Sequence, residues 1–300
     1  VRGAVLSMLI TRTIAETRTA IAQARAQGKR IGFVPTMGYL HEGHLQLIDI
    51  ARQHSDFVVV SIFVNPTQFG PHEDFASYPR DFERDRTLCE ARGTDLIFAP
   101  EVSEMYPERS LITFQIEKLA DHLCGMRRPG HFNGVVLVVS KLFNIVQPDI
   151  AVFGQKDAQQ LIIIKRLVQD LNFPVRIIAA PTVREPDGLA MSSRNVYLSA
   201  EQRAQSTVLY RSLQKAKALI ESGERDARRV IAEMERVIAT ASEARIDYIE
   251  VVRVSDLQPI EKLDGLVLIA LAVYFGKARL IDNIMLDVSS HTVREIPALP

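Results

Sequence analysis

Apolar residues recur in this chain as short continuous runs, separated by polar stretches whose apolar positions keep helical spacing. Residues 31–34 (Ile-Gly-Phe-Val) read as a buried strand, and Leu45, Ile48 and Ala51 behind them read as one face of a helix. Residues 57–64 are β-branched and apolar without alternation, which predicts a central parallel strand covered on both faces. A helix over 81–91 leads past Gly93 to a strand at 95–98. Residues 100–107 read as irregular, 111–116 as a strand and 117–123 as a short helix. A long helix over 133–146, a strand at 150–153, a helix through Leu171 and a strand at 175–179 follow. Near the start, Thr13 with Glu16 has the spacing of a capping box, and an Ala-rich run leads to a helix stop at Gly28. Alternation of this kind predicts an α/β fold with a doubly wound parallel sheet.

From Pro181 the texture changes. Pro181, Pro186, Asp187 and Gly188 mark an irregular segment, and Ser199 with Gln202 reads as a second capping box opening a helix to about residue 221. Gly223 breaks that helix, another runs to about residue 241, and strands are expected at 248–254, 267–274 and 279–287. The boundary is placed near residue 184, giving residues 1–183 as a nucleotide- and substrate-binding domain and 184–300 as a smaller C-terminal α+β domain.

Composition narrows the function classes. At 300 residues, 47% hydrophobic and 24% charged, the chain has the make-up of an ordinary globular protein large enough for two domains. Lys plus Arg and Asp plus Glu are both 36, and zero net charge favours neither a nucleic-acid nor a membrane partner. The longest apolar run, 135–146, is interrupted by Ser140, Lys141 and Asn144 and is too short to span a bilayer. Cys89 and Cys124 are too few for a disulfide framework, no secretory signal is evident, and a cytoplasmic location is expected. Met8 is a candidate natural start, which would make residues 1–7 a remnant or a misassigned beginning.

The chemistry concentrates in residues 35–44, Pro-Thr-Met-Gly-Tyr-Leu-His-Glu-Gly-His, between the first buried strand and its helix. Gly38 allows a positive φ and close approach of a ligand to the backbone, and the helix start offers unpaired N–H groups and a positive dipole end, so phosphate is the favoured ligand. His41 and His44 share a helix face, where two imidazoles can donate to a phosphate chain and, when protonated, offset charge on a leaving pyrophosphate. The alternatives are a zinc pair and two surface histidines. Metalloprotease pairs are spaced H-E-x-x-H, whereas this one is H-E-G-H without a third ligand at a recognisable spacing. Asn65 and Gln68, where the central strand ends, are candidate substrate contacts or a polar turn closing the strand. The loop at 125–132 carries Arg128 and His131 and suits phosphate or carboxylate, or is a solvated basic loop. Gly154, Gln155, Lys156 and Asp157 repeat the strand, glycine and polar helix start, with Gln160 on the face of Asp157, although Asp157 could be only an N-cap. Met191, Ser192, Ser193, Arg194 and Asn195 make a loop able to close over phosphates, or an ordinary linker.

Taken together these blocks resemble the pantoate–β-alanine ligases, the pantothenate synthetases, of the nucleotidyltransferase superfamily that shares its Rossmann-like fold with class I aminoacyl-tRNA synthetases. The resemblance rests on residues 35–38 leading to the H-x-G-H (HIGH) element at 41–44; on 61–66 with Gln68 and Phe69; on Tyr78-Pro79-Arg80; on 128–132; on 153–157 with Gln159 and Gln160; and on 191–195. It runs from about Met8 to about Val288. It implies an AMP-forming ligase that adenylates pantoate with ATP and Mg2+ and then transfers the pantoyl group to β-alanine. By the same resemblance Met37, Gly38, Tyr39, Leu40, His41, Glu42, Gly43 and His44 line the ATP phosphates, with His44 as proton donor. Gln68 and Gln160 hold pantoate, Gly154 to Asp157 meet ribose and phosphates, Val183 meets adenine, and Met191 to Arg194 form a second signature loop. It further implies a homodimer and a C-terminal domain acting as a lid. Gln155 stands where a glutamate is common in the family, and no acidic cluster marks protein ligands for the metal.

Three rivals remain at this stage. Another nucleotidyltransferase of the same fold would pass a nucleotide to a phosphorylated acceptor and stop there; a non-catalytic regulator would keep the cleft alone. A tRNA synthetase is disfavoured, because the neutral chain offers no evident tRNA-binding domain.

Overall fold

In the computed structural model, residues 8–289 and 292–300 are described; the reading of residues 1–7 lies outside them. In chain order the first part contains β1 (Leu9–Thr11), α1 (Ile14–Ala26), β2 (Ile31–Thr36), α2 (Glu42–His54), β3 (Phe57–Ile62), α3 (Phe82–Ala91), β4 (Leu96–Phe98) and α4 (Val102–Met105). It continues with α5 (Leu123–Arg127), α6 (His131–Val146), β5 (Ile150–Gly154), α7 (Ala158–Asp170) and β6 (Arg176–Ala180). The remainder contains α8 (Ala200–Gln205), α9 (Val208–Glu221), α10 (Ala227–Ile238), β7 (Ala244–Arg253), β8 (Gly265–Phe275), β9 (Ala278–Val288) and β10 (Val293–Glu295).

These elements form two compact units. One comprises residues 1–115, 130–153 and 163–180, the other 116–129, 154–162 and 181–300. The division expected near residue 184 falls close to the start of the last segment, at Pro181; two earlier segments also belong to the second unit.

The first unit is built on a six-stranded sheet of order β1-β4-β3-β2-β5-β6, with β1/β4, β4/β3, β3/β2 and β2/β5 parallel. The order reverses next to β2, and in such sheets ligands bind beyond the carboxyl ends of the strands at that switch. Val58, Val59 and Val60 of β3 are at most 1% exposed, as a strand covered on both faces must be. Leu40, Leu45, Ile48 and Ala51 pack with Val34, Val58, Val60 and Ile97 in one core, so the side of α2 opposite its polar face is fixed to the sheet. The turn between β2 and α2 is left-handed at two successive residues, Gly38 (φ 81°) and Tyr39 (φ 51°). Asp85 of α3, itself buried, secures it: its two carboxylate oxygens accept from the Tyr39 and Leu40 N–H groups, each at 2.7 Å. Burial raises the Asp85 pKa above the usual carboxylate value, while those N–H groups and Arg84 pull it back.

In the second unit the sheet order is β10-β9-β8-β7, antiparallel throughout. Its core unites Leu213, Ala216 and Ile220 of α9 and Val230, Met234 and Ile238 of α10 with Val267, Ile269, Leu271 and Val273 of β8, whose alternate positions share a face. Arg184 donates to both oxygens of buried Asp282 on β9, at 2.6 and 2.9 Å, and to the Gly188 carbonyl. Burial pushes the Asp282 carboxyl up and Arg184 holds it down. Segment 116–129 is tied in by Gln159, which donates to the Leu119 and His122 carbonyls and accepts from the Gly125 N–H. Arg279 adds an ion pair to Asp247 and a contact to the Cys124 sulfur, which lies 3.3 Å from the Tyr248 hydroxyl.

Four local expectations change. Residues 100–107, read as irregular, contain the short helix α4. Residues 111–116 form no strand: Leu111 and Ile112 are 94% and 79% exposed, and the run pairs with no strand among the described residues. The short helix expected at 117–123 begins only at Leu123, because Lys118 and Leu123 adopt positive φ. The helix opened by the Ser199 and Gln202 capping box is interrupted after Gln205, where the hydroxyls of Ser206 and Thr207 bond back to the Arg203 and Ala204 carbonyls.

Two stability outcomes follow. Asp85→Asn turns an NH2 toward a backbone donor and is expected to cost about 1–3 kcal/mol, read as a lower urea midpoint; an unchanged midpoint would count against the clamp. Arg184→Ala leaves a buried carboxylate without its cation and is expected to cost about 3–5 kcal/mol, measured by the same titration.

Candidate active site

In the first unit the H-x-G-H element forms a capping box made of two imidazoles. His41 is the N-cap of α2, in extended conformation, and its Nδ1 accepts from the Gly43 N–H at 3.1 Å; the Nδ1 of His44 accepts from the His41 N–H at 3.3 Å. A ring nitrogen that accepts carries no proton, so both rings are held as the tautomer with hydrogen on Nε2. Doubly protonated rings would lose both caps. With centroids 4.0 Å apart, two imidazolium ions would also repel one another. Each Nδ1 is thus engaged as an acceptor at the positive end of a helix dipole, and Nε2 is the ring nitrogen that carries the proton in this arrangement. Leu40 is wholly buried with its N–H on Asp85, so its place in the turn is structural, and Glu42 pairs with Arg92 at 2.6 Å.

Where β3 ends, the short helical turn Pro66–Gln68 is capped by Asn65, and a buried polar cluster surrounds it. Asn65, 1% exposed, donates to the Gln68 side-chain oxygen at 3.0 Å and to the Gly134 carbonyl at 3.1 Å. Its oxygen accepts from the Tyr106 hydroxyl at 2.9 Å and from the hydroxyl and N–H of Thr67 at 3.0 and 3.4 Å. The Gln68 nitrogen lies 3.5 Å from the Met37 sulfur. His131 joins its Nδ1 to the Gln68 carbonyl at 2.8 Å, the carbonyl being the acceptor. Asn65 and His131 thus orient Gln68 with their polar atoms. A cavity of about 320 Å3 adjoins this cluster, lined among others by Pro66, Thr67, Tyr106, Asn133, Gly134 and Leu137.

The other expected residues lie in the second unit. Gly154 leads into the turn Gln155–Asp157. Gln155 is buried and points to protein, its amide donating to Asn283 and accepting from the Leu299 N–H, while Asn283 donates to the Gln155 and Lys156 carbonyls. The Lys156 ammonium stands 3.9 Å from the half-exposed Asp157 carboxylate, and Gln160 is partly exposed one turn on. The Val183 carbonyl accepts from the Met191 N–H, closing a small bridge between Arg184 and Ala190. Ser192 caps the helical turn Ser193–Tyr197 by accepting from the Arg194 N–H, with Ser193 buried and Asn195 donating to the Ala190 carbonyl. Arg128 closes α5, its N–H on the Cys124 carbonyl.

Two residues with a part in the first unit's site escaped the sequence reading, Asp85 and Tyr106. For Asp85 a signal existed: it sits one turn before Cys89 on the buried stripe of an otherwise charged helix. Tyr106 carried none, standing in a stretch that reads as irregular. Among the described residues no group of three or more His, Cys, Asp or Glu side chains is arranged to hold a metal, and no helix is long and apolar enough to cross a membrane.

Residues 9–285 match the pantoate-beta-alanine ligase family. A pantothenate synthetase from Moorella thermoacetica is 57% identical over 282 residues, covering 94% of this chain and all of the relative. The crystal structure of pantothenate synthetase from Thermus thermophilus superposes with a TM-score of 0.87 at 47% identity, covering 92% of this chain and 98% of that one. A pantoate-beta-alanine ligase from Francisella tularensis, complexed with beta-gamma ATP and beta-alanine, has a TM-score of 0.77 at 35% identity over 92% of this chain and 97% of its own. With its length matched almost throughout, this chain belongs to the pantoate–β-alanine ligase family.

Proposed function

We propose that the chain condenses pantoate with β-alanine at the expense of ATP, through a pantoyl adenylate, releasing pyrophosphate and AMP. The observation that supports this reading is the imidazole capping box at the N-terminus of α2, in which both Nδ1 atoms accept from backbone amides, in a chain of the pantoate–β-alanine ligase family. In the first step the pantoate carboxylate attacks the α-phosphorus and pyrophosphate departs; in the second the β-alanine amine attacks the acyl carbon and AMP departs. Neither step needs a protein nucleophile. Both need donors and cations that gather anions and meet charge as it develops.

Within that scheme His44 donates from Nε2 to the phosphate oxygens as the α–β bridge breaks, and His41 and the turn from Met37 to Gly43 line the chain of phosphates. Lys156 and Arg194 supply positive charge, Ser192 and Ser193 hydroxyls, Gly154 and Asp157 contacts to ribose, and Val183 a backbone contact to adenine. Gln68 and Gln160 bind pantoate, whose hydroxyls and carboxylate suit amides, and Arg128 attracts a carboxylate. Asn65 and His131 support Gln68; Gln155 and Glu42 contribute backbone. Mg2+ would be a partner of the nucleotide, held chiefly by phosphate oxygens and water, with the half-exposed Asp157 carboxylate beside Lys156 as a candidate protein ligand, and it would neutralise departing charge. A homodimer in the cytoplasm completes the assignment, on the family resemblance.

Labelled pyrophosphate is expected to exchange into ATP in the presence of pantoate and magnesium with β-alanine omitted; its absence at saturating pantoate would reject the adenylate. His44→Ala is expected to lose on the order of 10²–10³ in turnover. Because an alanine also removes half of the capping box, a thermal melt should accompany the assay, and a folded variant of near-normal rate would strike His44 from the mechanism. Appearance of AMP with an amide product separates this ligase from a nucleotidyltransferase that stops at nucleotide transfer.

A further inference from the structure

The geometry points to Tyr106 as a positioning residue that holds the Asn65 carboxamide, and through it the Gln68 carboxamide, in the sense that two backbone groups set. The inference rests on the reading that Gln68 binds pantoate, and concerns how that glutamine is held.

Two backbone groups fix the orientation of Asn65, because their roles cannot switch. The Thr67 N–H can only donate and lies on the Asn65 oxygen at 3.4 Å; the Gly134 carbonyl can only accept and lies on the Asn65 nitrogen at 3.1 Å. The second hydrogen of that nitrogen reaches Gln68 at 3.0 Å, so the Gln68 atom there has to be its oxygen. What Gln68 has left to offer is its NH2 group, on the side of Met37. An NH2 takes carboxylate or hydroxyl oxygens and turns away ammonium groups, which is the sense required for a small acid rather than an amine.

Tyr106 locks this arrangement from the other side. Its hydroxyl, 2.9 Å from the Asn65 oxygen, donates there, because an amide oxygen has nothing to give. The ring is anchored independently, against Phe63 with centroids 6.2 Å apart and under the Lys141 ammonium at 5.2 Å, so the hydroxyl is held in place by packing. Burial raises the phenol pKa, which keeps the proton on the donor. Were the Asn65 amide to rotate by half a turn, the Thr67 N–H would face an NH2 and the Gly134 carbonyl an oxygen, whereas the two hydroxyls could turn to accept, so the backbone sets the sense and Tyr106 adds a hydrogen bond that holds the carboxamide in place. Removing the Tyr106 hydroxyl loosens Asn65, and Gln68 with it, without touching the substrate.

Tyr106→Phe keeps the ring and its packing. It is expected to raise the KM for pantoate about 10-fold, the scale of one buried hydrogen bond, with the KM for ATP and the melting temperature close to the parent values. An unchanged pantoate KM, or equal rises for ATP and pantoate, would overturn the inference. Thr67→Val removes another donor to the same oxygen and is expected to move the pantoate KM in the same direction, which keeps the test open should Tyr106→Phe fold poorly. Gln68→Ala separates the two levels: if it leaves the pantoate KM unchanged, Gln68 itself is misassigned. If Gln68→Ala raises that KM and neither hydroxyl variant does, only the role of Tyr106 falls.

Discussion

A backbone that turns left-handed twice in succession is the constraint on which the rest of the first unit's site depends. Gly38 accepts this at little cost, but Tyr39 carries a side chain into a region that L-residues avoid, and something outside the turn must compensate. The Asp85 carboxylate does so by receiving the N–H groups of Tyr39 and Leu40 together, and Leu40 drops into the core on the far side. Once the turn is set, α2 starts at a fixed point and its first amides need acceptors. His41 and His44 provide them, and in doing so their own tautomers are decided.

Polar groups taken out of water in this protein are mostly arranged in closed sets. Asn65 meets Gln68, Gly134, Thr67 and Tyr106; Arg184 meets Asp282; Gln159 meets three backbone groups; Asn283 spans two carbonyls and Gln155. Each set is costly to break at a single member, because what is left behind has lost its water as well as its partner. Such sets ask for particular residue types at positions distant in sequence. The six blocks that carry the resemblance contain several of these positioning groups, Asn65, Gln155 and Gln159 among them, beside residues assigned to ligands.

Much of the first sheet was legible in the sequence because periodicity reports burial directly. The uninterrupted valines of β3 announced a strand covered on both faces, and the Thr13 and Ser199 capping boxes marked helix starts by local chemistry that the structure repeats. Sequence failed where the deciding partner is remote or absent. Residues 111–116 looked like a strand but pair with no strand among the described residues, and Asn65, read as a ligand contact or a polar turn closing the strand, meets Tyr106 and Gly134, partners that nothing nearby in the chain reveals. The role of Asp85 depends on amides 45 and 46 residues away, a distance no local pattern encodes. The smaller unit's interrupted membership, with 116–129 and 154–162 belonging beside the C-terminal sheet, was hidden for the same reason.

Gly134 sets a mechanical condition on this arrangement. A β-carbon there would lie 2.2 Å from the Thr67 carbonyl oxygen, so the first turn of α6 rests on the loop after β3 main chain to main chain. With no side chain between them to act as a bearing, that loop cannot slide over the helix as a hinged flap would. The segment that carries Gln68 is thereby pinned to the start of α6 by its own main chain.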